Sequence, residues 1–135
     1  MSGKYFVDSN VWLYAFMDEE SPKHAPANAL IGQPDIVLST QVVNEVCNNL
    51  IRKAGYNEAE IQQTLQNFEN RYPILDINIP IIRQASILRT AYRLSYWDSI
   101  ILATAQDAGC SIVYSEDMQD GLKIGLMTIR NPFKA

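Results

Sequence analysis

Histidine is almost absent from this chain, His24 being the only one, and cysteine is nearly as scarce. Cys47 and Cys110 lie far apart and no CxxC pair occurs. Zinc centres of the usual Cys/His type therefore lack ligands, and Ser-His-Asp or Cys-His chemistry would have to run through His24 alone. Two separated cysteines in apolar surroundings read as buried thiols rather than a disulfide, which fits a cytosolic setting. Long apolar runs are missing as well: nothing approaches the roughly 20 residues needed to span a bilayer. The N-terminus also lacks the basic, apolar and small-residue succession of a signal peptide. A cytoplasmic protein with no membrane association is expected. Nor is there an excess of positive charge. Eleven Lys and Arg face fifteen Asp and Glu, a formal charge of −4, which argues against a module that holds nucleic acid by a basic surface alone. An enzyme whose acids hold metal ions stays open, because bound cations reverse the local field. Carboxylate chemistry is what this composition leaves.

What is present is an ordinary globular chain. Its 135 residues are 47% hydrophobic, which fits one domain over residues 1–135 with a normal core. No repeat, low-complexity tract or linker interrupts it. Apolar stretches predict strands at 4–8, 36–38 and 110–114, a short edge strand at Pro73-Ile74-Leu75, and a last strand over 124–129. Between them come helical stretches at 10–17, 24–32, 40–54, from 58 to about 72, from Pro80 to about Leu94, and 97–108. Val42, Val43, Val46, Cys47, Leu50 and Ile51 form one apolar stripe on the 40–54 helix, and Gly55 ends it. Asn57 before Glu58-Ala59-Glu60 reads as an N-cap with acids in the first turn. Strands separated by helices imply an α/β fold with a mainly parallel sheet covered on both faces. Such sheets bind ligands outside the carboxyl ends of their strands.

Four acids occupy informative places. Asp8, in "YFVDSNVWLYAF", stands at the carboxyl end of the first strand; it or Ser9 could instead cap the following helix. If Ser9 or Asn10 takes the cap, Asp8 is free to point out past the strand. Asp117, in "VYSEDMQDG", follows the strand ending at Tyr114, with Glu116 and Asp120 competing for any role given to it. Asp98 lies in "LSYWDSIILATA", where Ser95-x-x-Asp98 fits a capping box. The apolar run that follows makes this a buried helix end, a costly place for a bare charge, and so favours a metal or another partner. Glu45 lies on a helical wheel with Gln41, Asn44 and Asn48, opposite the apolar stripe, where a solvated polar face is the default. Were the four to converge, their repulsion would call for cations, and hard divalent ions prefer oxygen ligands.

Together "YFVDSNVWLYAF", "TQVVNEVCNNL", "YWDSIILATAQDAGC" and "VYSEDMQDG" resemble the PIN-domain nucleases, most closely the VapC-type ribonuclease toxins of bacterial toxin–antitoxin pairs. The likeness covers essentially the whole chain, with the motifs in the family's order. It implies a three-layer α/β/α fold with a short, mainly parallel five-stranded sheet. It implies that Asp8, Glu45, Asp98 and Asp117 form an acidic quartet holding Mg²⁺ or Mn²⁺, with Asn10 and Ser115 as accompanying polar residues. Ser9 and Ser115 stand where the family often has threonine, and both keep the hydroxyl; Asp120 matches a less constant acid. The implied chemistry is hydrolysis of phosphodiester bonds in single-stranded RNA, with Arg52, Lys53, Arg89, Arg93 and Lys123 as candidate phosphate contacts. The implied partners are a cognate antitoxin protein that covers the site and a second copy in a homodimer. Tyr14, Tyr56 and Tyr72 are candidates for those surfaces, whereas core packing better explains Trp12. Two alternatives remain beside the toxin: a PIN-type nuclease of RNA processing or structured DNA, and a catalytically silent binding module whose acids are caps and surface charge. A receiver-like phosphoacceptor domain, a variant of the last, would want a lysine after the final strand, and none stands clearly there.

Overall fold

The computed structural model describes residues 3–134. In chain order its elements are β1 (Lys4–Val7), α1 (Ser9–Phe16), α2 (His24–Ile31), β2 (Ile36–Ser39), α3 (Thr40–Ala54) and α4 (Glu58–Arg71). The second half holds β3 (Ile74–Leu75), α5 (Ile79–Ala91), α6 (Tyr96–Asp107), β4 (Cys110–Tyr114), β5 (Lys123–Ile124) and β6 (Met127–Arg130). The six strands form one sheet in the order β3-β2-β1-β4-β6-β5, parallel throughout except for the β5–β6 pair.

This order fixes where a site can sit. From β1 the chain winds outward through β2 to β3, then returns to lay β4 against the other side of β1. The winding reverses between β1 and β4, and ligands in open α/β sheets bind beyond the carboxyl ends of strands at such a reversal. The register makes the two strand ends level: Val7 is opposite Tyr114, and the Asp8 N–H donates to the Tyr114 carbonyl at 2.9 Å. Asp8 and Ser115 therefore leave the sheet side by side.

Right-handed crossovers put the helices of the outward winding, α1 to α4, on one face and those of the return, α5 and α6, on the other. Burial agrees, since all four residues of β2 are buried although successive side chains point to opposite faces. On the α1 face, Trp12 is wholly buried. Its ring meets Phe68 and Tyr72 of the α4 end edge-to-face at centroid distances of 5.3 and 5.1 Å, and stacks on Phe16 at 6.2 Å. Its Nε1 donates to the Val7 carbonyl at 3.0 Å. Tyr72 is held there too, donating its hydroxyl to the Ile31 carbonyl at 2.9 Å. Helix limits follow local chemistry: Ser39 Oγ accepts from the Val42 N–H at the start of α3, and Gly55 ends that helix at φ +69°. Asn57 and Glu60 complete a reciprocal capping box on α4.

Most boundaries fall within one residue of expectation, and two differ by more. The stretch 124–129 is a hairpin rather than one strand, so the sheet has six strands instead of five. Gly125 sits at φ +60° in the two-residue connection and turns the chain back, leaving Leu126 at the tip. Helix α5 ends at Ala91, three residues early, because Tyr92 is extended and the chain must reach Ser95 in the extended conformation that caps α6. Its start is set by Asn78, whose side chain accepts from the Ile81 N–H, with Pro80 in the first turn. Cys47 is half-buried and Cys110 buried, and both are free thiols. No helix among the described residues is long and apolar enough to cross a membrane.

Candidate acidic site at the sheet edge

Asp8 is 4% exposed, an unusual place for a carboxylate. One oxygen, Oδ1, accepts from the Ser9 N–H at 2.7 Å and caps α1; the other, Oδ2, accepts from the Ser115 hydroxyl at 2.8 Å. The cap and the site are thus the same group. Neither Ser9 nor Asn10 relieves Asp8 of capping, contrary to the expectation from sequence. Burial pushes its pKa up to about 6, against the Ser115 and Ser9 hydrogen bonds, and the charges of Asp98 and Asp117 raise it further.

Ser115 is itself fully buried, and its oxygen also accepts from the Met118 N–H at 3.4 Å, so one hydroxyl ties the turn after β4 to Asp8. Asn10 makes the second tie. Its Nδ2 donates to Asp117 Oδ2 at 3.1 Å and reaches Asp8 Oδ2 at 3.5 Å, while its Oδ1 accepts from the Glu116 N–H at 3.3 Å. The competition around Asp117 is resolved by partners. Glu116 turns away to an ion pair with Lys23 and accepts from the Tyr14 hydroxyl at 3.1 Å. Asp120 accepts from the Asn131 N–H at 2.8 Å, bracing the chain after β6. Asp117, exposed, stays on the side of Asp8.

Glu45 does not lie on a solvated face. It is half-buried, and its Oε1 is buried with no hydrogen-bond partner. Burial raises its pKa first and Asp8 second; the neighbouring Gln41 amide and Ser9 hydroxyl work against this, and Asp98 adds to it. The helical wheel held for Asn44 and Asn48, which are exposed, but α3 begins at the sheet's carboxyl edge and turns Glu45 inward over Asp8. Asp98 is half-buried in the first turn of α6. Its N–H donates to Ser95 Oγ at 3.1 Å, half of the expected capping box. Among the described residues its carboxylate makes no return bond to the Ser95 N–H, unlike Glu60 in α4. Burial raises its pKa, the Ser95 hydroxyl lowers it, and Asp117 raises it again.

The cations distribute unevenly. Lys53 lines a small cleft of about 390 Å³ with Asn10 and Asp117. Arg52 is beside it in the last turn of α3, where it also complements the helix dipole. Arg89 is committed to α6, donating to Ser99 Oγ at 2.7 Å and lying 4.6 Å from the Tyr96 ring centroid. Arg93 is exposed in the α5–α6 connection, and Lys123 is exposed on edge strand β5, two strands from β4. His24 is engaged elsewhere, its Nδ1 against the Tyr14 carbonyl at 2.9 Å. Lys23 and Gln41 were not singled out from sequence. Gln41 had a usable signal, one turn before Glu45 on the same face; Lys23 had none.

The donor set suits a hard divalent cation: oxygen ligands, a carboxylate oxygen left without a partner, and charges that raise one another's pKa. Among the described residues no three His, Cys, Asp or Glu side chains stand close enough together to hold a metal ion between them. Mg²⁺ asks for less than such a group, since it keeps several waters and takes one or two carboxylates.

The sequence model of the PIN domain family matches residues 5–120. Among solved structures, a toxin–antitoxin complex from Klebsiella pneumoniae aligns at TM-score 0.74 and 20% identity, covering 98% of this chain and 100% of that one. FitAcB from Neisseria gonorrhoeae aligns at TM-score 0.69 and 17% identity, covering 97% and 99%. VapC20 from Mycobacterium tuberculosis, a toxin that cleaves the sarcin–ricin loop, aligns at TM-score 0.68 and 20% identity, covering 84% and 90%. At these identities the likeness is one of fold. No match was found among curated protein sequences.

Proposed function

Since this chain belongs to the PIN-domain family of nucleases, we propose that it is a metal-dependent endoribonuclease, the toxin of a toxin–antitoxin pair, which hydrolyses phosphodiester bonds in single-stranded RNA. The observation that carries this reading is the buried Asp8 at the reversal between β1 and β4, braced by Ser115 and tied to Asp117 through Asn10. Burial and neighbouring acids push the pKa of Asp8, Glu45 and Asp98 upward. Structural surface charge has no reason to collect over a buried carboxylate at the sheet's topological reversal.

In this reading Asp8, Glu45, Asp98 and Asp117 hold Mg²⁺ or Mn²⁺. Bound there, the ion supplies an activated water and stabilises charge on the phosphoryl and leaving oxygens. The chain supplies the positioning. Ser115 and the Ser9 N–H fix the two oxygens of Asp8, and Asn10 keeps Asp117 in register with it. Lys53, which lines one cleft with Asp117, is the basic residue best placed for a substrate phosphate, and Arg52 precedes it in the last turn of α3. No histidine is needed. The toxin–antitoxin complex among the similar structures supports an antitoxin partner, and in this reading that partner covers the acids. A homodimer, a cytoplasmic setting and a single domain over residues 1–135 complete the proposal.

The test is cleavage of a single-stranded RNA with Mg²⁺ or Mn²⁺ present. Asp8→Asn should abolish cleavage while far-UV circular dichroism stays native, and EDTA should silence the unaltered protein. Full activity in either case would sink the proposal.

A further inference from the structure

The two residues before Asp98 carry the largest exposed rings of the site region. Trp97 is 63% exposed and Tyr96 48%. The rings meet edge-to-face at 5.1 Å and 80°, and the Arg89 guanidinium packs against the Tyr96 ring while bonding the buried Ser99 hydroxyl. The pair is braced from behind. On its other side Trp97 borders a groove of about 970 Å³ between α3, α4, β3 and the start of α6. Gln41 stands at this end of the groove. Its Nε2 donates to the Trp97 carbonyl at 3.2 Å, which ties the start of α3 to the first turn of α6 behind the ring.

We propose that Trp97 is the stacking platform for one unpaired base of the substrate. The inference rests on the ribonuclease reading and names a substrate contact within it. Proteins that take single-stranded RNA stack splayed bases on aromatic rings and bond their edges. Here the ring stands in the first turn of α6 beside Asp98, and Gln41, on the same groove, lies one helical turn before Glu45, so a base seated on Trp97 is held next to the elements that carry the acids. Charge decides how much of the strand enters. The groove's lining also carries the exposed acids Glu69 and Asp76. They repel the phosphate backbone, so only a neutral base enters, and it does so at the Trp97 end.

Steady-state cleavage of a single-stranded RNA oligonucleotide tests this. Trp97→Ala should raise KM by roughly tenfold, the loss expected when one stacked base is given up, with kcat nearly unchanged; Trp97→Phe should restore most of the affinity. A second readout needs no turnover. The only other tryptophan, Trp12, is wholly buried, so emission that changes on adding RNA reports Trp97. In the Asp8→Asn protein with Mg²⁺, the oligonucleotide should quench that emission, and the added change Trp97→Phe should remove the quenching. Cleavage with an unaltered KM in Trp97→Ala, or quenching that survives Trp97→Phe, overturns the platform and leaves the nuclease reading standing. An altered oligomeric state in Trp97→Ala with unaltered KM also overturns it, assigning the ring to a protein interface. Failure of the unaltered protein to cleave any RNA removes the nuclease reading itself.

Discussion

Helix α1 carries the two extremes of the molecule within about one turn. At its cap, Asp8 is buried as a carboxylate whose pKa is raised to about 6, so its charged form opposes folding. At Trp12 the largest side chain of the fold is buried among Phe16, Phe68 and Tyr72, with its one polar atom satisfied by the Val7 carbonyl. Burial stabilises at one place and destabilises at the other, and both groups hang on the same stretch of backbone. The contrast teaches how a small α/β domain keeps like charges together. The aromatic cluster anchors α1 against the sheet, and the anchored helix holds Asp8 under Glu45 and Asp98 where, unconstrained, it would move to water.

If that division is right, the cluster is where the fold is most vulnerable. Trp12→Ala should cost about 3–5 kcal/mol, the usual range for a large aromatic removed from a core. For a domain stabilised by roughly 5–15 kcal/mol this is a large share, and it is read from the urea midpoint at constant slope. A loss below about 1 kcal/mol would mean that the cluster is not the anchor.

Asp8→Asn should act in the opposite direction. In the metal-free protein the folded-state pKa lies above the ordinary value of 3.8. Below that value both states are protonated and the wild-type chain suffers nothing. As pH rises from about 4 to about 6 the unfolded state sheds its proton first, so wild-type stability falls, and above pH 6 the deficit is complete. The asparagine variant lacks this titration and keeps an oxygen for the Ser9 N–H. Its advantage should be small near pH 4 and reach on the order of 2–3 kcal/mol by pH 7. Mg²⁺ should shrink that advantage by stabilising the wild type. A variant less stable than wild type at pH 7 without metal would show that the hydrogen bonds to Asp8 outweigh its burial.

The two regions differ as much in legibility as in energetics. Alternation of strands and helices, the Asn57 cap and the stop at Gly55 are local signals, and each stands where the sequence places it. The β5–β6 hairpin was missed although Gly125 marks it, because an apolar run on both sides outweighed a single glycine. Asp8 was readable as a strand-end acid, but its double use of one oxygen for the cap and one for Ser115 depends on the register of β1 against β4, which lies 107 positions away in sequence. Glu45 was the hardest. Periodicity sees which way a side chain leaves its helix, not what the sheet edge puts above it, and only the family resemblance pointed to it. Arg89 shows the reverse: its charge suggested phosphate, while the structure commits it to Ser99 and Tyr96.

Glu45 therefore offers the finest test of the comparison. A glutamate on a solvated face could be neutralised without consequence, whereas one held over Asp8 could not. Burial and the Asp8 charge both raise its pKa, so Glu45→Gln should raise the melting temperature of the metal-free protein at pH 7. The rise should be smaller than for Asp8→Asn, because Glu45 is only half-buried and solvent screens part of the interaction. It should also weaken the stabilisation given by Mg²⁺. The double variant separates shared field from coincidence. If the two carboxylates repel each other, each single change already relieves the other, and the gain from Asp8→Asn with Glu45→Gln must fall short of the sum of the separate gains. Strict additivity would place Glu45 outside the field of Asp8 and reduce the quartet to three acids.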